Sequence, residues 1–120
     1  MASRSRRARE AAQAARVKAA AARRADTERR LAEQLAVARQ DEAAAREVTM
    51  HAERIVTAAR TVAAQATARY EAGLSSIVDV ADADRRLAQA EIDRALAVLS
   101  VWRARLSVAY ASATGVGPFL

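Results

Sequence analysis

The chain has 120 residues and a net charge of +6, with no Cys, one Pro, three Gly and only four aromatic residues. Its hydrophobic fraction of 52% is largely alanine, 35 residues in all, which favours helix but buries little area when it packs. This composition argues against a compact globule with a thick core. It predicts an all-α protein of long helices that depend on neighbouring helices for stability.

The first predicted element is one helix over about residues 5–72. No Gly or Pro occurs between Ser5 and Ala72, and residues with high helix propensity dominate. Mostly small side chains recur at alternating intervals of three and four residues, the spacing of a coiled-coil seam. The predicted seam consists of Leu31, Leu35, Ala38, Glu42, Ala45, Thr49, Ala52, Val56, Ala59, Ala63, Ala66 and Tyr70.

The beginning of this helix is strongly basic. Residues 1–30 hold ten Arg or Lys against three acids, whereas residues 31–120 hold ten against eleven. Such a segment is either a solvated helix face or an arm for nucleic acid or an anionic surface. Because the second helix is much shorter, the first thirty residues are predicted to extend beyond it, and we expect other helices to cover them.

The break between the helices is predicted at residues 73–76. Gly73 can adopt the left-handed conformation that ends a helix, and Leu74 can then fold back on the last turn. Ser76 and Asp79 have the spacing of a capping box, which starts a new helix. A turn this short predicts two antiparallel neighbouring helices that form one coiled-coil-like hairpin over residues 1–120.

The second helix is predicted over about residues 77–114, followed by a tail of residues 115–120. One stripe of this helix carries the large apolar side chains, with Trp102 and Val108 beside it and Arg103 interrupting it. The stripe consists of Ile92, Leu96, Leu99, Leu106 and Tyr110. Gly115, Gly117 and Pro118 are typical of a helix end.

The sequence shows no convergent set of catalytic groups, and we expect neither enzymatic activity nor a cofactor. His51 stands alone in mid-helix without a second ligand at i+4, so no metal site is expected. Asp79 and Asp82 lie one turn apart without a base or nucleophile. Their simplest roles are structural: Asp79 complements the helix dipole, and Asp82 pairs with Arg85 or Arg86.

Residues 68–91, ARYEAGLSSIVDVADADRRLAQAE, resemble the helix-turn-helix tip of the TolC-like outer membrane factors. The shared pattern is a tyrosine, a glycine three residues later, a Ser or Thr, an aspartate, then Asp-Ala and Leu-x-x-Ala-Glu. The flanks, residues 6–14 and 109–120, also resemble the beginning and end of the corresponding family hairpin. Two positions differ: Ser75 stands where some members carry an arginine, and Ala81 where leucine is usual.

The resemblance implies a function in export. In that family two hairpins from each of three subunits form a twelve-helix barrel across the periplasm, and β-strands form a pore in the outer membrane. This chain is similar to the second hairpin, so we expect a periplasmic barrel segment of a channel in a tripartite efflux or type I secretion system. The implied partners are two further copies, a periplasmic adaptor and an inner-membrane pump, without nucleic acid.

The same resemblance implies roles for individual residues. Asp79 and Asp82 match aspartates that form acidic rings at the periplasmic entrance, and Tyr70 matches a tyrosine that helps to hold the entrance closed. Gly73, Leu74 and Ser75 match the tip at which the adaptor docks.

The implied location is the outer membrane and periplasm. The sequence has neither the apolar segment of a signal peptide nor an apolar run of about 20 residues that could cross a membrane. We therefore expect either a fragment of a longer product or a remnant that has lost transport. The alternative function is a free-standing basic coiled-coil protein that binds nucleic acid or a partner helix through residues 4–30.

Overall fold

The chain forms two antiparallel helices joined by a short turn. A computed structural model describes residues 2–115, with α1 at Ala2–Glu71 and α2 at Ile77–Gly115. The molecule measures 107 × 24 × 14 Å. The all-α hairpin predicted from the sequence is confirmed. Gly115 belongs to α2, and the rest of the predicted tail, residues 116–120, lies outside the described residues.

The helix α1 accommodates five threonines, a residue type that disfavours helix interiors. Each threonine hydroxyl donates a hydrogen bond to the carbonyl oxygen four residues earlier, at 3.0 to 3.2 Å. This local bond satisfies the hydroxyl without a partner helix, so the threonines do not interrupt the 70-residue element.

The two helices meet along a seam of alanines. The buried residues are nine alanines and one larger residue, and in α2 they recur every seven positions. They are Ala38, Ala52, Val56, Ala63, Ala66, Ala83, Ala90, Ala97, Ala104 and Ala111. Alanine side chains let the two backbones approach closely, but each transfers little apolar area from water. The hairpin is therefore stabilised by many small contacts along its length.

The predicted seam of α1 agrees with this packing. Every predicted seam residue from Leu31 to Ala66 is buried or half-buried, at alternating intervals of four and three residues. Tyr70 is the exception, since its side chain remains 45% exposed at the end of α1.

The large apolar residues of α2 form a second stripe that does not face α1. We call Ile92, Leu96, Leu99, Leu106 and Tyr110 the outer stripe; their side chains are 44% to 74% exposed. Ile92, Leu99 and Leu106 each follow a seam alanine by two residues, which places them roughly 200° around the helix from it. The helix α2 thus has an alanine face against α1 and an unpartnered, more apolar face on the opposite side.

Three ion pairs between the helices show their antiparallel register. Arg105 Nε lies 3.4 Å from Glu42 Oε1, Arg94 Nη1 lies 3.4 Å from Glu53 Oε1, and Arg60 Nη2 lies 3.3 Å from Glu91 Oε1. As the residue number on α1 rises from 42 to 60, the number of its partner on α2 falls from 105 to 91, which is the order expected of antiparallel helices. These pairs are partly exposed, so each contributes at most about 1 kcal/mol.

The first part of α1 extends beyond the end of α2, as predicted. Residues 2–25, here called the basic arm, are exposed at every position. The arm is about 36 Å long at 1.5 Å per residue. It carries eight Arg or Lys and a single acid, Glu10, for a net charge of +7.

Candidate functional site at the hairpin tip

The turn between the helices begins with a glycine-dependent helix end. Gly73 has a φ of 74°, the left-handed region. The Leu74 N–H donates to Arg69 O at 2.8 Å, and the Gly73 N–H donates to Tyr70 O at 2.9 Å. These are the two bonds of a Schellman motif, so the predicted helix end at Gly73 is confirmed. The chain folds back while the Leu74 side chain stays 76% exposed.

A reciprocal capping box then begins α2. The Ser76 N–H donates to Asp79 Oδ2 at 3.0 Å, and the Asp79 N–H donates to Ser76 Oγ at 3.3 Å. The Ser76 hydroxyl also donates to Asp79 Oδ2 at 3.1 Å. The capping box expected from the spacing is therefore present, and it holds the Asp79 carboxylate in one orientation at the positive end of α2.

A groove on one side of the tip contains several of the predicted site residues. Leu74, Ser75, Asp79 and Asp82 line it together. Tyr70, on the last turn of α1, and Gly73 do not line it, so the groove contains four of the six predicted site residues. The groove is also lined by Val62, Ala66, Arg69, Ala83 and Arg86.

The two arginines in this groove were not identified as site residues from the sequence. Arg69 and Arg86 come from different helices, and with Asp79 and Asp82 they balance the formal charge of the groove. The only indication in the sequence was that Arg86 follows Asp82 by one helical turn. A groove with both charges and an apolar wall at Leu74 can bind a polar, amphipathic segment of another protein.

The two tip carboxylates differ in how they are held. Asp79 accepts two hydrogen bonds from Ser76, whereas Asp82 Oδ1 lies 3.4 Å from Arg85 Nη1 in a pair exposed to water. The structural pairing of Asp82 predicted from the spacing is thus formed with Arg85. Asp82 is the more easily reoriented carboxylate, because an exposed pair at this distance constrains it weakly.

Ser75 is the one described side chain with a buried polar atom that lacks a hydrogen-bond partner within residues 2–115. Ser75 is one of the residues that line the groove. A buried hydroxyl without a partner costs stability, typically about 1–3 kcal/mol.

The other titratable groups of residues 2–115 do not cluster as metal ligands. His51 is exposed in the middle of α1. Within the described residues, no group of three or more His, Asp or Glu side chains is placed to hold a metal ion. Neither described helix contains an apolar stretch long enough to cross a membrane.

Comparisons with known proteins do not identify a family. A scan against family models, a search of curated proteins and a search of solved structures found no match.

Proposed function

We propose that this hairpin is a periplasmic barrel segment of an outer membrane channel in a tripartite efflux or type I secretion system. The tip docks a periplasmic adaptor through Gly73, Leu74 and Ser75. Asp79 and Asp82 line the channel entrance, and Tyr70 contacts a neighbouring hairpin there. The role is structural and conductive rather than enzymatic, with two further copies and an inner-membrane pump as partners.

The observation that carries this proposal is the pair of opposite contact faces on α2. A helix in a two-helix hairpin needs one apolar face, whereas a helix in a continuous wall needs a neighbour on each side. The alanine seam takes α1 on one side, and the outer stripe offers a second contact on the other. This arrangement suits a layer of parallel or antiparallel helices, which is the architecture of a barrel wall.

The tip supports the same proposal at the level of single residues. The Schellman motif and the capping box fix the turn without using the Leu74 side chain, which is 76% exposed. Exposed apolar residues on a rigid turn are suited to docking, because little conformational entropy is lost when a partner binds. Asp79 and Asp82 from several copies would give closely spaced carboxylates, which attract cations and repel anions.

Export from cells tests the proposal directly. In the source cell, replacing Leu74 with Glu in the complete gene product is expected to raise intracellular accumulation of an exported dye and to abolish copurification of an adaptor. Val17→Glu is the matched control, because Val17 is 61% exposed and lies roughly 85 Å along α1 from the tip. Unchanged dye accumulation and adaptor recovery in Leu74→Glu would reject the docking role.

A second candidate, binding of nucleic acid, is favoured by one specific observation. The basic arm is exposed on all sides and carries a net charge of +7. However, it has no aromatic residue to stack on bases. Neutralising Arg4, Arg6, Arg7 and Arg9 with Gln should abolish any salt-dependent DNA binding if this function is correct. Absence of DNA binding by the unmodified chain at low salt would eliminate it.

A further inference from the structure

The outer stripe of α2 is an exposed apolar surface that has no partner within the described hairpin. Its five residues extend from Ile92 to Tyr110, about 27 Å along the helix. Trp102 and Val98 continue it toward one side, with exposures of 57% and 38%. Arg103 interrupts the stripe, but exposed apolar side chains grouped on one face are typical of an interface.

We infer that a second copy of this chain packs on the outer stripe, with the two α2 helices antiparallel. The resulting dimer is a row of four helices, because the stripe lies opposite the alanine seam. The two α2 helices occupy the middle of the row, and the two α1 helices lie outside. The inference concerns the isolated chain and does not rest on the proposed function.

The spacing of the stripe is self-complementary, as a twofold interface requires. From Ile92 to Tyr110 the intervals are four, three, four, three and four residues when Arg103 is included, so the pattern reads the same in both directions. An antiparallel copy centred near residue 101 then places Ile92 opposite Tyr110 and Leu96 opposite Leu106 of the other copy. Leu99 faces the aliphatic stem of Arg103.

The available area is sufficient for a specific contact. Half-exposed side chains as large as leucine or tryptophan each offer on the order of 100 Å². The five stripe residues and Trp102 together amount to roughly 600 Å² on each copy, the lower end for a specific interface.

Charge favours the antiparallel arrangement over a parallel one. A parallel dimer would place two basic arms side by side, each with a net charge of +7. The antiparallel dimer directs the arms to opposite ends of the particle, far beyond the screening length of about 8–10 Å at physiological salt. The helix α2 itself carries five acids and five arginines, so it opposes neither arrangement.

Sedimentation equilibrium of the full chain tests the inference first. We expect a particle of twice the 12.8 kDa chain mass. Leu106→Lys should weaken dimerisation about 100-fold without loss of helical circular dichroism, because Leu106 is 70% exposed and makes little contact within the hairpin. Val48→Lys is the matched control, since Val48 is 59% exposed on α1 and should leave the dimer intact.

Spin-label distances then determine the orientation, and the absence of Cys makes single labels simple to introduce. Labels at Ser100→Cys should be close together across the interface. Labels at Ala113→Cys should be about 36 Å apart along the axis in the antiparallel dimer. A monomer at all concentrations overturns the inference. Short distances at both sites, as in a parallel trimer, also overturn it, although that result would leave the proposed barrel function standing.

Discussion

Gly73 determines how α1 ends, and its role can be separated from packing. Its φ of 74° is in the left-handed region, and a Cβ added there would meet nothing within 4 Å. The only penalty for a side chain is therefore conformational. We predict that Gly73→Ala lowers the free energy of unfolding by about 1–2 kcal/mol. Gly73→Asn should lose less, because asparagine tolerates this conformation better.

Urea unfolding followed by circular dichroism measures both variants. Ser107→Ala provides a control, because Ser107 only donates to the Arg103 carbonyl oxygen within α2 and is exposed. If Gly73→Ala were as stable as the unmodified chain, the helix end would not depend on the left-handed residue, and the tip geometry would need another cause.

Asp79 has a capping role in addition to its proposed entrance role, whereas Asp82 is outside the cap. Replacing Asp79 removes half of the capping box, so any effect of that variant on conductance would be mixed with a change in the tip. Asp82 has only an exposed pair with Arg85. We predict that Asp82→Asn in the complete channel lessens cation block or raises conductance, because a neutral side chain weakens cation binding at the entrance.

Single-channel recording in planar bilayers measures this effect. Asp84→Asn is the control, since Asp84 is an exposed carboxylate of the same helix outside the tip groove. Equal cation block in Asp82→Asn and the unmodified channel would remove Asp82 from the entrance. The Asp79 assignment would then depend on a variant that keeps the cap, such as Asp79→Asn combined with a stability measurement.

At the scale of elements, the seam of alanines makes the hairpin sensitive to added volume. Ala97 is 6% exposed between the helices. Leucine at this position must either separate the backbones or adopt a strained rotamer, and we predict a loss of about 1–3 kcal/mol in the free energy of unfolding. The same substitution at Ala88, which is exposed on α2, should change it by less than about 0.5 kcal/mol.

Urea unfolding compares these two variants under identical conditions. A neutral or stabilising Ala97→Leu would mean that the helices can repack around larger residues, and that the alanine seam is not what fixes their distance. An equal loss at both positions would instead indicate an effect on helix propensity alone.

The sequence predicted the elements well but not the face by which α2 packs. Gly73 and the Ser76–Asp79 pair are local signals whose geometry follows from the backbone, so the turn could be predicted to the residue. The α1 seam could also be predicted, because one row of residues at alternating intervals of four and three continues from Leu31 to Ala66 without a second such row.

The helix α2 carries two such rows, and the row with the larger apolar side chains is not the one that contacts α1. The outer stripe has larger side chains, but the row from Ala83 to Ala111 permits the closer approach. Alanines at each seventh position were the available signal. The tip groove could be predicted only in part, because Arg69 and Arg86 reach it from two helices whose relative rotation depends on the seam.

At the scale of the whole molecule, the contact between the helices does not extend to the basic arm. Residues 2–25 have no tertiary partner among the described residues, whereas the segment from Ala38 to Ala66 packs against α2. Most helical stability in proteins comes from packing against other elements, so a helix segment without tertiary contacts is less stable than a packed one. Repulsion among Arg4, Arg6, Arg7 and Arg9 lowers the stability of the arm further at low salt.

We therefore predict that amide hydrogens of the basic arm exchange at least about 100-fold faster than those between Ala38 and Ala66 in the isolated chain. Hydrogen-exchange mass spectrometry with peptide resolution measures both segments in one sample. Raising the salt concentration should slow exchange in the arm selectively, because screening reduces repulsion among its arginines. In an assembly that covers the arm, its protection should approach that of the paired segment. Equal protection of both segments in a dilute, monomeric sample would contradict this prediction. It would show that the basic arm is a stable helix without neighbouring helices to cover it.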